Sequence, residues 1–191
     1  MPGLQTADGS TAPDDIARVS ERLRAGASFL PDEVYTQVLA NVVVNCVDVI
    51  VEGTDGKILM GRRVNRPWAD HWHPPGGRQK PGEDYGQAGA RHLKRDLGLI
   101  VDPTFLWFLT TNNFMWNDSA QGVPCHMNGI LMQTTLTQSE YASIITRDKG
   151  DFAEVRWFEV DEITNDRGFH PAIVEGVKRY RSGQWEYVAR S

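Results

Sequence analysis

Residues 42–52 run Val-Val-Val-Asn-Cys-Val-Asp-Val-Ile-Val-Glu, a β-branched stretch in which polar and apolar positions half alternate, and this predicts a strand. Thr54-Asp55-Gly56 is a turn sequence and predicts an antiparallel return along residues 57–63. A loop over residues 64–72 leads through His73-Pro74-Pro75 to the Gly76-Gly77 turn. From Asp84 to Leu97 the chain has no proline and enough helix formers to continue as a helix, with Asp84 as N-cap and Gly98 ending it in a left-handed conformation. Further strands are predicted over residues 104–110, 125–136 and 153–160, and helices over 138–146 and 171–181. Residues 14–25 read as a polar helix lying across the domain or a partner subunit. A second helix runs from Pro31, in its first turn, to about Ala40. Residues 1–12 are rich in Gly, Ser, Thr and Pro and are expected to be disordered. Strands interleaved with helices, one pair of strands joined as a hairpin, give an α/β class with a mixed sheet. The expected organisation is one domain over residues 13–191, with N-terminal helices over 14–40 and a core over 42–183.

Composition narrows the class. A chain of 191 residues, 40% of them hydrophobic, can bury one good core. No apolar run approaches the roughly 20 residues of a membrane helix, and the N-terminus lacks a basic-then-apolar signal, so a cytoplasmic protein without a membrane partner is expected. Cys46 and Cys125 lie in apolar strand contexts without metal-ligand spacing and read as buried free thiols. The net charge of −5 argues against nonspecific nucleic-acid binding. Yet from Arg62 to Arg95 there are eight basic residues against three acids, which concentrates positive charge around the glycine turn and points to a phosphate-bearing small molecule.

The turn and the helix after it carry the most specific pattern. Gly77, Glu83, Arg91, Leu93, Gly98 and Leu99 stand at the spacing of the signature of the Nudix hydrolases, which this stretch resembles; His92, Arg95 and Asp96 stand where that family has three glutamates. Positions 92, 95 and 96 are spaced i, i+3, i+4 on one helix face and offer an imidazole, a guanidinium and a carboxylate. Magnesium takes only one or two protein carboxylates in sites completed by water and phosphate, so Asp96 alone can anchor it. The resemblance implies an α/β/α sandwich around a mixed sheet.

Beyond this box the chain is similar to the GDP-mannose mannosyl hydrolase branch, roughly over residues 30–183. The shared stretches are Asp48-Val49-Ile50-Val51-Glu52, Gly61-Arg62-Arg63-Val64-Asn65-Arg66-Pro67, Trp72, Pro75-Gly76-Gly77-Arg78, Arg156-Trp157 and His170. The branch resemblance implies magnesium (or manganese) held by Asp96, the Gly76 carbonyl and Asp151, with Arg63, Arg78 and Arg91 on a diphosphate. Arginine suits that task because its planar fork donates two hydrogen bonds to phosphate oxygens. Arg91 can instead pair with Glu83, and Asp48, which also matches a site position, can pair with Arg63 or meet substrate. Phe152 stands where the branch has a catalytic histidine, which leaves Glu154, or Asp151 if it is not on the metal, as base. Met127 stands in place of a tyrosine near the leaving group.

Among the histidines, His71 and His73 flank Trp72 within reach of the turn, His92 can ligate a softer metal, and His126 and His170 read as packing or capping residues. Two functions follow. One is a magnesium-dependent hydrolase of a nucleoside diphosphate linked to a sugar or similar group, with Arg63, Asp151 and Glu154 in catalytic roles. The other is a non-catalytic module for a nucleotide or phosphorylated ligand, in which Arg95 meets phosphate directly. The branch resemblance also suggests a homodimer.

Overall fold

The structure, a computed structural model, describes residues 13–26, 30–144, 151–166 and 168–183. Two helices, α1 (Pro13–Gly26) and α2 (Asp32–Asn41), precede strands β1 (Val44–Glu52), β2 (Ile58–Arg63), β3 (Trp72–His73) and β4 (Gly76–Arg78). Helix α3 (Tyr85–Leu97) leads to β5 (Trp107–Trp116) and β6 (Cys125–Thr135). Then come α4 (Gln138–Ser143), β7 (Phe152–Phe158), α5 (Val160–Asn165) and α6 (Pro171–Ser182).

The sheet has seven strands and is mixed. Its path is β3-β2-β1-β6-β5, with β4 on β1 and β7 on β2. Strand β1 is parallel to β6, from Val44 opposite Met127 to Glu52 opposite Thr135, whereas its pairings with β2 and β4 are antiparallel. Gly56, at φ 80°, supplies the left-handed residue of the β1–β2 turn.

Alternation along β1 sends side chains to two cores. Val47, Val49 and Val51 pack with Leu93, Leu97 and Leu99 of α3 and the segment after it. Ile50 packs on the other face with Ile163 of α5 and Ile173 and Val177 of α6. Helices thus cover both faces of the sheet, the α/β/α arrangement expected. Leu93 and Leu97 are fully buried, and truncating either costs about 2–5 kcal/mol, more than any capping contact. Packing therefore fixes α3 against β1, and its caps set where it starts and stops. Asp84 accepts from the Gln87 amide in a capping box, and Gly98 ends the helix at φ 68°.

Several boundaries differ from expectation. The strand expected over residues 104–110 runs instead over Trp107–Trp116, because Asp102 accepts from the Thr104 amide and starts a one-turn 3₁₀ helix at Pro103–Phe105. The strand expected over 153–160 ends at Phe158, and Val160 opens α5, a helix not anticipated. Pro31 is the N-cap of α2, just ahead of its first turn. Helix α4 stops at Ser143, and residues 145 and 146 of the expected helix lie outside the described residues, as does the 1–12 tail. No described helix is long and apolar enough to cross a membrane.

Candidate active site

The glycine turn is itself part of the sheet. Gly76, Gly77 and Arg78 pair with Asp48, Val47 and Cys46 of β1. A β-carbon at residue 76 would lie 2.1 Å from Asp48 Oδ1 and 2.5 Å from the Val47 carbonyl oxygen, so glycine is what allows this close approach. Gly77, at φ 148°, passes over the imidazole of His92.

Three box residues hold the turn from below. Glu83 accepts from Arg91 at 2.5 Å (Nε) and 2.7 Å (Nη2), and its Oε2 also accepts from the Lys80 amide at 2.9 Å. Burial favours the neutral form of Glu83, but Arg91 and the Lys80 amide outweigh it and hold the carboxyl below its usual value. Arg91 Nη2 donates to the Arg78 carbonyl at 3.0 Å, and His92 Nε2 reaches the same oxygen at 3.1 Å. Arg91 thus takes the Glu83 pairing and does not line the cavity described below. His92 is 1% exposed, and its neutral ring donates from Nε2 while Nδ1 stays unprotonated and without a partner among the described residues. Burial drives its pKa down to about 3, with the charges of Arg95 and Arg91 adding to the effect. It supports the turn, and among the described residues it belongs to no group of three or more His, Cys, Asp or Glu placed to hold a metal.

The three groups expected to hold magnesium do meet, around an arginine. Arg95 donates from Nε to Asp96 Oδ1 at 2.5 Å and from Nη2 to Asp96 Oδ2 at 2.9 Å. The same Nη2 donates to the Gly76 carbonyl at 2.9 Å and lies 2.8 Å from Asp151 Oδ2. Burial favours loss of the Arg95 proton, but the bond to Asp96 and the nearby carboxylates prevail and raise its pKa. The residues as arranged do not fit a divalent ion. Both Asp96 oxygens and the Gly76 carbonyl already accept from Arg95, and among the described residues no group of three or more His, Cys, Asp or Glu is placed to hold a metal.

Beside this cluster lies a cavity of about 340 Å³. Asp48, Arg63, Gly76, Arg78 and Asp151 line it, together with the mutually packed rings of Trp68, Phe114 and Trp116. Arg78 rests over the Tyr35 ring at 4.8 Å, and neither Arg63 nor Arg78 has a carboxylate within 4.0 Å among the described residues. Arg63 Nε and Trp68 Nε1 are buried donors without an acceptor among the described residues. Asp48 is 9% exposed and makes no side-chain hydrogen bond among the described residues; burial pushes its carboxyl up to about 7 against the pull of Arg63. The expected Asp48–Arg63 contact is therefore a longer-range attraction and not an ion pair. His73 also lines the cavity, with Nδ1 2.8 Å from the Pro74 carbonyl, and burial followed by the Arg63 charge takes its pKa to about 3. Cys46 is there too, its thiol pushed up to about 12 by burial and by Asp48. Cys125 is likewise a free thiol.

Other expected site residues are elsewhere. The β2–β7 register sets Glu154 opposite Arg62, and the two pair at 3.2 Å, so Glu154 does not line the cavity and cannot serve it as a base. Phe152 packs its ring over Gly61, outside the cavity. Met127 does line it. His71 is exposed against the Ala69 carbonyl, and His126 lies 3.3 Å from Asn113 Oδ1. His170 caps α6 and packs on Trp68, Phe114 and Trp116, the packing and capping part expected of it.

Sequence reasoning missed the aromatic wall. Phe114 and Trp116 are two apart on β5 and so share a face; their rings stack at 5.8 Å with 4° between planes, and Trp68 closes on Trp116 at 5.4 Å. Trp68 holds φ 64°, a costly conformation for a bulky residue, which the loop accepts while presenting the indole. An alternating aromatic pair was the available signal, but the expected strand ended before it.

Comparison with known proteins agrees with this frame. The NUDIX domain family model matches residues 43–179. The MutT protein from Methanosarcina mazei Go1 is 16% identical, with a TM-score of 0.59 over 75% of this chain and 96% of that one. A NUDIX hydrolase from Nitrosomonas europaea is 18% identical, with a TM-score of 0.59 over 76% and 93%. The NUDIX domain of Shewanella oneidensis NrtR, solved with ADP ribose, is 16% identical, with a TM-score of 0.56 over 84% and 97%. At these identities the solved structures establish a shared fold, and the family match over more than half of the chain establishes the rest: the chain belongs to the Nudix family.

Proposed function

We propose that the chain hydrolyses a nucleoside diphosphate linked to a sugar or similar group, in the manner of the GDP-mannose mannosyl hydrolase branch. Nudix hydrolases generally act on nucleoside diphosphate derivatives, and the Shewanella NUDIX domain holds one of them, ADP ribose. The observation that carries the reading is the pairing, in one cavity, of Arg63 and Arg78, both without a carboxylate partner among the described residues, with the Trp68, Phe114 and Trp116 rings. Guanidinium groups suit a diphosphate and an aromatic wall suits a flat base; a volume near 340 Å³ is in the range of small-molecule sites.

In this reading water attacks the sugar carbon. Its proton passes to Asp48, the cavity carboxylate without a hydrogen-bond partner among the described residues, since Asp151 is engaged by Arg95. The bond from that carbon to the diphosphate oxygen breaks, the electron pair stays on the diphosphate, and Arg63 and Arg78 meet the growing charge. The family generally uses divalent cations such as magnesium; no step here is assigned to one, because Arg95 fills the expected position. A homodimer belongs to the same reading, and light scattering on the purified chain tests it.

The same position of Arg95, together with the absence of Glu154 from the cavity, favours a second reading, a module that binds such a ligand without turnover. A panel of GDP-mannose, ADP-ribose and UDP-glucose, scored both for products and for thermal stabilisation, separates the two. Products support the hydrolase, stabilisation without products supports the module, and neither result would defeat both.

A further inference from the structure

We infer that Arg95 is the resident cation of this site: its guanidinium stands where a divalent ion would gather Asp96, the Gly76 carbonyl and Asp151, and it makes ligand binding independent of metal. The geometry is specific. One side chain, rooted on α3, satisfies groups from three separate elements, the helix residue Asp96, the β4 residue Gly76 and Asp151 just before β7. A bridging cation is what otherwise joins such a set. The Asp96 side chain is fully buried, and a buried carboxylate without a cation beside it would be strongly disfavoured. Arg95 supplies that charge permanently, since guanidinium does not lose its proton in proteins.

Two consequences follow. First, a free ion must displace Arg95 from both oxygens of Asp96 before it can bind, so the wild-type chain has little affinity for one. Second, the Gly76 turn is held in place before any ligand arrives, because its carbonyl is already bonded. Arg63 and Arg78 then meet an anion on a prepared surface, with no need of an ion to bring the parts together. The part of this inference that concerns a diphosphate rests on the function proposed above; the part that concerns the cation does not.

Manganese binding followed by electron paramagnetic resonance tests the cation directly on the full chain, without any nucleotide. The wild-type protein is expected to leave Mn²⁺ free, whereas Arg95→Glu, which adds a carboxylate beside Asp96 and Asp151, and the smaller change Arg95→Gln are each expected to gain affinity of at least about tenfold. One Mn²⁺ bound per wild-type chain and lost in Asp96→Asn would overturn the inference. So would folded Arg95 variants, verified by circular dichroism, that bind no more Mn²⁺ than the wild type. In a second arm, GDP is titrated in EDTA and in excess Mg²⁺, and its affinity is expected to agree within about twofold. A clear requirement for Mg²⁺ contradicts metal independence. A protein that binds no GDP in either condition, while the manganese results stand, counts against the proposed function and leaves the role of Arg95 supported.

Discussion

Arg95 and Asp96 are neighbours on α3, yet the arginine folds back so that Nε and Nη2 grip both carboxylate oxygens of Asp96, at 2.5 and 2.9 Å. Adjacent helix positions do not ordinarily face one another. Here the long arginine stem bridges the gap, and Asp151 and the Gly76 carbonyl complete the guanidinium's surroundings. The signature spacing has been kept while its chemistry has been exchanged.

The arginines of the cavity should separate cleanly from their neighbour. Arg62 pairs with Glu154 at 3.2 Å and lies 3.7 Å from Asp70, outside the cavity, whereas Arg78 lines it. Arg78→Ala should weaken binding of a nucleoside diphosphate probe about ten- to a hundredfold, the scale of one charge-assisted contact of roughly 1.5–3 kcal/mol. Arg62→Ala should change it by no more than about twofold. Calorimetric titration with GDP checks both, and equal effects would remove Arg78 from the proposed site.

Much of the α3 frame was legible because its signals are local. Asp84 as cap, Gly98 in the left-handed region and the Glu83–Arg91 spacing all depend on residues within about two turns of one another. Strands β3 and β4 were not legible. They are two and three residues long and exist only because β2 and β1 offer them partners. Glu154 failed for a related reason: which face it takes depends on its register against β2, and no short-range pattern carries that. The convergence of Asp96, Gly76 and Asp151 was anticipated by resemblance, but its occupant was not, since i, i+1 spacing gives no hint of a side-on ion pair.

The Glu83–Arg91 pair should be a stability element. Both groups are mostly buried, and each makes a second bond to the turn backbone. Arg91→Ala leaves Glu83 without its cation and should cost about 2–4 kcal/mol in urea unfolding. Arg91→Lys should recover only part of this, because an ammonium cannot reproduce the two-pronged bond. Full recovery with lysine would mean that charge alone matters there.

Stability should fall on acidification below about pH 6.5. His73 and His92 have folded pKa values of about 3 against roughly 6.5 unfolded, so between these limits the unfolded chain binds more protons and gains on the native state. Asp48 acts oppositely. Its folded value of about 7 lies above an unfolded value near 3.8, so over most of the same range the native state holds one extra proton. Two histidines against one aspartate leave about one proton, roughly 1.4 kcal/mol per pH unit, while His170, lowered by burial, and Asp96, raised by burial, act in opposite senses. In His92→Gln, which can still donate to the Arg78 carbonyl, the slope should flatten towards zero. Urea unfolding from pH 6.5 to 4.5 measures it, and an unchanged slope would show that His92 is not held neutral.

Glycine at 76 should be far less replaceable than at 56. Gly76→Ala forces a β-carbon against Asp48 Oδ1 and the Val47 carbonyl, whereas at Gly56 a β-carbon meets nothing within 4 Å and only the φ of 80° opposes it. Gly56→Ala should cost about 1 kcal/mol, and Gly76→Ala about 2–3 kcal/mol or more in unfolding measurements, because backbone must move.

The central claim is that the cavity between Arg63, Arg78 and the Trp68–Trp116 wall receives a nucleoside diphosphate derivative. The most direct measurement is a calorimetric titration of GDP-mannose in EDTA against the wild-type chain and an Arg63→Ala, Arg78→Ala double variant shown by circular dichroism to be folded. The account predicts saturable binding to the wild type and a loss of affinity of at least about a hundredfold in the double variant, the combined scale of two charge-assisted contacts. Equal affinity in the two proteins, or a wild type that binds no GDP-mannose, would contradict it.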